Sequence, residues 1–307
     1  MDKTAKRILE EVADLHKIPE GAYNIRLNGE SEGRNSTEHI IITNRDDGTG
    51  INIKILDGTV NESCCIPVVI SLSGHEETVR NDFYVGENCD VQIVAGCGIH
   101  NCGSENSRHD GLHRFFIGKN SKVKYVEKHY GEKSEISEGG NIMNPSTEIT
   151  LEEGSTLEME TTQIRGIDST TRSTKAVIGA GASLVIKERL LTNGTQKAES
   201  KIEAELVGDG SSANLISRSV ATDNSTISFI SNIKGCARCS GHTECDSIIV
   251  DNAKILAVPA LDAVHPDASL IHEAAIGKIA GEQLIKLETL GLTEKEAEEA
   301  IIEGFLK

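Results

Sequence analysis

Apolar and polar residues alternate along most of this chain, and Gly, Asn or Asp interrupts the alternation at near-regular intervals. Gly86-Glu87-Asn88-Cys89-Asp90-Val91-Gln92-Ile93 and Gly118-Lys119-Asn120-Ser121-Lys122-Val123-Lys124-Tyr125 show the shared pattern. A turn residue comes first, then a small residue, then apolar positions two apart. The turn residue recurs at 88, 120, 154, 181, 210, 224, 252 and 267, in steps of 32, 34, 27, 29, 14, 28 and 15. A unit of about 14 to 15 residues, usually doubled, is the signature of a β-solenoid. Gly and Asn tolerate the left-handed backbone of a tight corner, and a small residue after the corner avoids crowding between coils. An antiparallel sandwich would also supply alternating strands. The corner itself repeats here, and that favours a mainly β chain wound as a solenoid.

The ends read differently. Ala5, Ile8, Val12 and Leu15 fall at helical spacing before Pro19, which predicts a surface helix over residues 4–16. Residues 30–36 are polar and Gly-punctuated, so a loop is expected there. First strands are expected at His39–Ile42 and Ile51–Leu56. Ile66–Leu72 is a β-branched run suited to a strand buried on both faces. After Glu273 a helical stripe runs through Ile276, Ile279, Ala280, Leu284, Leu287 and Leu290, and Gly291 ends it. Thr293-Glu294-Lys295-Glu296 is a capping box that opens a second helix. The chain thus divides into an N-terminal helix with entry strands (1–60), a β-helix core (61–272) and a C-terminal helical segment (273–307). That segment either covers the solenoid's open end or docks a partner.

Composition narrows the classes. The chain has 307 residues and a formal net charge of −17, which disfavours nucleic acid and anionic membranes as partners. No apolar run reaches membrane-spanning length, and the N-terminus has no secretory pattern. A cytoplasmic setting follows, where its eight cysteines serve as ligands, reactive thiols or buried fillers in place of disulfides. Tryptophan is absent and aromatics are 3%, so Val, Ile, Leu and Ala must fill the core.

The chemistry concentrates between Gly235 and Glu273. Cys236, Cys239 and Cys245 lie close in sequence, and His272-Glu273 follows on the next strand-like segment. Thiolates, imidazole and a carboxylate suit a transition metal or an iron–sulfur cluster. The competing explanation is that these thiols are small buried hydrophobes. C-x-x-C alone does not make a zinc site, because no second pair lies downstream. A second constellation, Cys97, His100 and Cys102 followed by His109 and His113, reads more simply as a polar loop between coils with solvated histidines. No G-x-x-x-x-G-K-[ST] loop is present, so the chain has no phosphate-cradling motif of its own.

These residues resemble those of a known family. Cys245-Asp246-Ser247 before an apolar strand, His272-Glu273-Ala274-Ala275, Lys278-Ile279, Gly281-Glu282-Gln283-Leu284, Gly291 to Ala297 and Ile301-Ile302-Glu303-Gly304-Phe305 are similar to the C-terminal signature of SufB/SufD iron–sulfur assembly scaffolds. The chain looks like a short SufB-like homologue without the long N-terminal extension. The resemblance implies a right-handed parallel β-helix and pairing with itself or with a SufB/SufD-like paralogue. It also implies a SufC-type ABC ATPase docked on the C-terminal helices, a nascent iron–sulfur cluster at the pairing interface, and apoproteins that accept it. Cys245 matches the family's essential cysteine, and His272 and Glu273 match its His-Glu pair. Ile271 stands where SufB often has a carboxylate. Cys236 and Cys239 lie outside the family pattern and are candidate extra thiolates.

The expected function is therefore a non-enzymatic scaffold whose ATP hydrolysis belongs to a partner. The alternatives are a catalytic β-helix of carbohydrate-active or acyltransferase type, and a purely structural SufD-like subunit. Scarce aromatics count against a sugar groove, and the retained Cys245 counts against a purely structural role.

Overall fold

The computed structural model describes residues 3–13, 19–133 and 137–307. Two ten-stranded sheets stand face to face, and the chain passes from one to the other at each corner. Through the central coils, strands within each sheet pair in parallel with strands one full coil away. Ser183–Thr192, Ser212–Ala221, Ser240–Ile249 and Ser269–Gly277 stack in the first sheet. Ser169–Ile178, Lys197–Leu206, Thr226–Gly235 and Lys254–Ala263 stack in the second. This is the expected β-solenoid.

The corner backbone is left-handed at seven of the eight expected corners, shifted by one residue at two of them, and Asp267 does not take positive φ. Asn88, Asn120, Gly154, Gly181 and Gly210 take positive φ as their positions require. At the corners assigned to Asn224 and Asn252, the left-handed residue is the preceding Asp223 or Asp251. Asp and Asn both accept this conformation through local hydrogen bonds, so the sequence pattern left the choice open by one residue.

Side chains alternate into and out of the space between the sheets. Inward ladders such as Val91, Val123, Leu157, Leu184, Ala213 form the core. It also takes aromatic rings, contrary to the expectation of a purely aliphatic filling. Phe83 and Phe115 stack at 4.5 Å, with Tyr125 edge-on to Phe115 at 5.0 Å.

The two ends are built differently. At the N-terminal end, Ala22–Leu27 pairs antiparallel with Glu30–Asn35, and Ile40–Asn44 pairs antiparallel with Gly50–Ile55. Residues 30–35 are therefore a strand, not the expected loop. An edge strand with no core-facing row needs no apolar alternation, so the sequence gives no sign of it. Helix α1 (Lys3–Ala13) lies across the outer face of the first sheet, burying Ala5, Ile8, Leu9, Val12 and Ala13. Residues 14–16 of the expected helix fall outside the described residues. Gly98 makes the close approach possible, since a Cβ there would stand 2.0 Å from Ile8 Cγ2. With α1 on one side and the core on the other, residues 64–70 are buried on both faces.

At the C-terminal end, Ser269–Gly277 is a strand, so Ile276 belongs to the sheet and not to a helical stripe. The boundary expected at 272/273 falls inside this strand. Helices α2 (Gly281–Glu288) and α3 (Glu294–Leu306) follow. Gly291 takes φ +99° beyond α2, and Thr293 with Glu296 forms the expected capping box. The helices do not cover the solenoid's end. They fold back along the outer face of the first sheet, where Arg189 Nη2 donates to the Lys307 carbonyl and only Ala297 of the pair is buried.

Candidate functional site

The strand Ser240–Ile249 carries Cys245. Gly241, Thr243, Cys245 and Ser247 face inward, while His242, Glu244 and Asp246 face outward. Cys245 is 4% exposed, and its sulfur lies 3.8 Å from Ser247 Oγ. Burial pushes its thiol pKa up, and the Ser247 contact opposes this only in part.

The neighbouring strand, Ser269–Gly277, is the last of its sheet, so one of its edges has no partner among the described residues. Its register sets Leu270 beside Gly241, His272 beside Thr243 and Ala274 beside Cys245. His272 therefore shares the inward face with Cys245. Ile271 and Glu273 lie on the opposite, outward face, beside His242 and Glu244. Glu273 Oε2 stands 3.9 Å from His242 Nε2. The candidate ligands Cys245 and Glu273 are thus on opposite faces of one sheet.

The C-x-x-C pair is also split. Cys239 is buried at the corner within the core. Cys236 is half-buried on the outside of the second sheet, 3.6 Å from Glu205 Oε1. Among the described residues, no group of three or more His, Cys, Asp or Glu is placed to hold a metal ion. The chain's own candidate donors do not converge.

The second constellation proves to be strand, not loop. His109, Gly111 and His113 alternate inward from the strand Ser107–Ile117, and Cys97 points inward from Asp90–Asn101. Cys102 is exposed. His100 faces away from Cys97, with its Nδ1 2.6 Å from Glu132 Oε1. Between the sheets His109 and His113 join charged residues that reading the sequence did not single out. His109 Nδ1 stands 2.9 Å from Glu77 Oε1, and His113 Nδ1 stands 2.8 Å from Tyr125 Oη. Arg172 Nη1 donates to Glu127 Oε2 at 2.7 Å, and its Nε lies 3.4 Å from Glu188 Oε1. Its Nη2 is 3.3 Å from His129 Nδ1.

Burial lowers the His113 pKa to about 4 and lowers that of His129 as well. Burial alone would raise Glu127, but His129 and Arg172 outweigh it and hold the carboxyl well below its usual range. Burial raises Glu188, and Arg172 offsets only part of that. The clue was positional. Glu127 and His129 continue the inward row that begins at Val123 and Tyr125, so they had to be core residues.

This geometry defines a parallel β-helix with a buried thiol one strand in from a sheet edge and a polar interior behind it. Residues 70–305 match the family description "SUF system FeS cluster assembly, SufBD core domain". The chain belongs to the SufBD family of iron–sulfur cluster assembly proteins. It is 27% identical over 278 residues to an iron–sulfur cluster assembly SufBD family protein of Archaeoglobus fulgidus, covering 89% of this chain and 72% of that one. A namesake in Methanothermobacter thermautotrophicus strain Delta H is 29% identical over 236 residues, 75% of this chain and 55% of its own. The iron–sulfur cluster assembly protein SufB of Bacillus subtilis is 24% identical over 234 residues, 74% and 48% respectively. The chain therefore spans about half the length of the latter two relatives. No described helix is long and apolar enough to cross a membrane.

Proposed function

We propose that this chain is a cytoplasmic scaffold on which an iron–sulfur cluster is assembled as cargo and passed to acceptor apoproteins. Cys245 supplies a thiolate, Glu273 an oxygen ligand, and His272 a ligand or an orienting group. Cys239 and Cys236 are candidate additional thiolates that would have to turn toward the cluster. The observation that carries the reading is the open edge. His272 and Glu273 sit on the edge strand one ladder step from the Cys245 strand, and among the described residues the donors of a single copy do not converge. A second copy, or a SufB/SufD-like paralogue, completes the ligand set by pairing along that edge.

Exposed edges are templates for pairing, and this edge strand carries exposed Ile271 and Ile276. Pro259 in the second sheet's last strand cannot donate to a ladder, so pairing through the first sheet is favoured. A SufC-type ABC ATPase binds α2 and α3, where Ile285 and Leu290 are exposed, and ATP hydrolysis belongs to it.

The test is anaerobic reconstitution with iron and sulfide, followed by absorption and Mössbauer spectra. Cys245→Ser should lose most cluster loading while keeping its circular dichroism spectrum. Full iron and sulfide occupancy in that variant would remove Cys245 from the ligand set.

A further inference from the structure

The second sheet carries another set of converging side chains, far along the solenoid from Cys245. On its neighbouring strands Glu76–Val85 and Ser107–Ile117, Glu77 stands beside His109, Val79 beside Gly111 and Asn81 beside His113, all on the inward face. Gly111 leaves a gap between the two imidazoles. A Cβ there would stand 3.3 Å from His109 Nε2 and 3.9 Å from His113 Nε2, so both rings bring the same nitrogen to one place. The gap belongs to a cavity of about 20 Å³ that Asn81 also lines, with room for about one water molecule or ion.

The hydrogen bonds decide what those nitrogens present. The Tyr125 hydroxyl donates its one proton to Glu127 Oε1 at 3.0 Å, so its oxygen accepts from His113 Nδ1. The neutral His113 ring then keeps its lone pair on Nε2. Glu77 accepts from His109 Nδ1, and the neutral ring again keeps its lone pair on Nε2. Arg26 and Arg172 bind the other oxygens of Glu77 and Glu127, which fixes both carboxylates. An imidazole whose far nitrogen is held by a carboxylate, directly or through a hydroxyl, is oriented and made more basic as a metal-binding histidine is. Asn81 adds a third acceptor. It is 5% exposed, and its Oδ1 is buried without a partner. His113 Nε2 meets only the Asn81 amide nitrogen, at a long 3.3 Å. A water has two protons for these three acceptors, whereas a cation serves all of them.

We propose that His109 Nε2, His113 Nε2 and Asn81 Oδ1 hold one divalent first-row transition-metal ion inside the solenoid. Imidazole nitrogen suits such ions, and neutral imidazoles and an amide bind one without releasing a proton. Among the described residues no third His, Cys, Asp or Glu joins the two histidines, so the amide oxygen is the third protein ligand. A cavity of this size admits no substrate, so the ion is structural and ties two successive coils together. The site shares no residue with the proposed cluster site and does not depend on it.

Full-length Cys245→Ser protein, which takes the cluster thiolate out of competition, is stripped with chelator. It is titrated anaerobically with Zn²⁺ by calorimetry and with Co²⁺ by visible absorption. One ion per chain should bind, with a Co²⁺ spectrum free of a thiolate charge-transfer band, and Zn²⁺ should raise Tm. Adding Gly111→Ala fills the gap but leaves both histidines, and should abolish the binding and the Tm rise. Adding Glu77→Gln touches no ligand and should weaken binding about 10–100-fold; it carries the test if the alanine variant does not fold. Absence of binding in the parent, a thiolate band, or unchanged affinity in either variant overturns the proposal. Failure of the cluster reading shows separately, as full iron and sulfide loading of Cys245→Ser.

Discussion

Replacing Arg172 by Met removes the cation that two buried carboxylates share. Arg172 is 5% exposed, while Glu127 and Glu188 are 5% and 2%, so water cannot take its place. Deleting one partner of a buried ion pair costs about 3–5 kcal/mol, because the remaining charge is left uncompensated. For 307 residues melting as one unit, the unfolding entropy is about 0.6 kcal/mol per kelvin, so Tm should fall by roughly 5–8 °C. A shorter cooperative block of coils would shift further. The loss also depends on pH, in a direction the structure sets. In the wild type Glu127 is held below its usual range, so its stabilising contribution is present at neutral pH and fades only as pH falls through that depressed value. In Arg172→Met Glu188 is buried without a cation and Glu127 keeps only its histidine neighbours, so the folded pKa values of both carboxyls rise. Their penalty is full at high pH and is relieved as they take up protons. The gap between wild type and variant should therefore be widest near about pH 8 and narrow toward about pH 5. Thermal melts followed by circular dichroism at both pH values measure it. A Tm within a degree of wild type, or a loss equal at both pH values, would refute the shared-cation argument. Adding Glu127→Gln and Glu188→Gln to Arg172→Met should recover much of the loss.

Two further outcomes follow from the C-terminal end. Ile271 is 55% exposed on the outward face of the edge strand, so Ile271→Asp should yield monomers by light scattering if copies pair there; an unchanged dimer would move the interface elsewhere. Truncation after Gly291 removes α3, which buries only Ala297. The shortened protein should keep its β circular dichroism but fail to co-purify with a SufC-type ATPase, and melting of the solenoid would instead make α3 structural.

The repeat was legible because it is local. A corner, a small residue and two-residue alternation recur within a dozen positions, and the register they imply is the observed one. Leu270 does align with Leu184 through Ala213 and Gly241, which leaves Ile271 outward. The edge strand 30–35 left no such trace, because a strand without a core row has no alternation to show. The division of Cys245 from Glu273 was implicit in the same alternation, since Cys245 pairs with Ala274 and the parity puts Glu273 on the other face. Proximity in sequence suggested a cluster of ligands that the pleat separates. The interior charges were hidden for another reason. Arg172 is 45 residues from Glu127 and 16 from Glu188, and only the coil pitch brings them together. Parity alone places Glu127 and Glu188 in inward rows, but nothing in the sequence pairs either with Arg172.

The inequality of the two ends limits how copies of this chain can associate. At the N-terminal end the outer strand Glu30–Asn35 is short and polar, carries Glu30, Glu32 and Arg34, and pairs through an irregularity at Ile25/Arg26. Charge, shortness and a bulge are the devices that stop one sheet from extending another. Of the first sheet's two edges, the one at Ser269–Gly277 is the mostly uncharged one. A rod with two adhesive tips grows into a fibre, whereas a rod with one can only meet another tip to tip. If copies pair through the first sheet, the blunted edge at Glu30–Asn35 makes that assembly close at two molecules instead of growing into a filament.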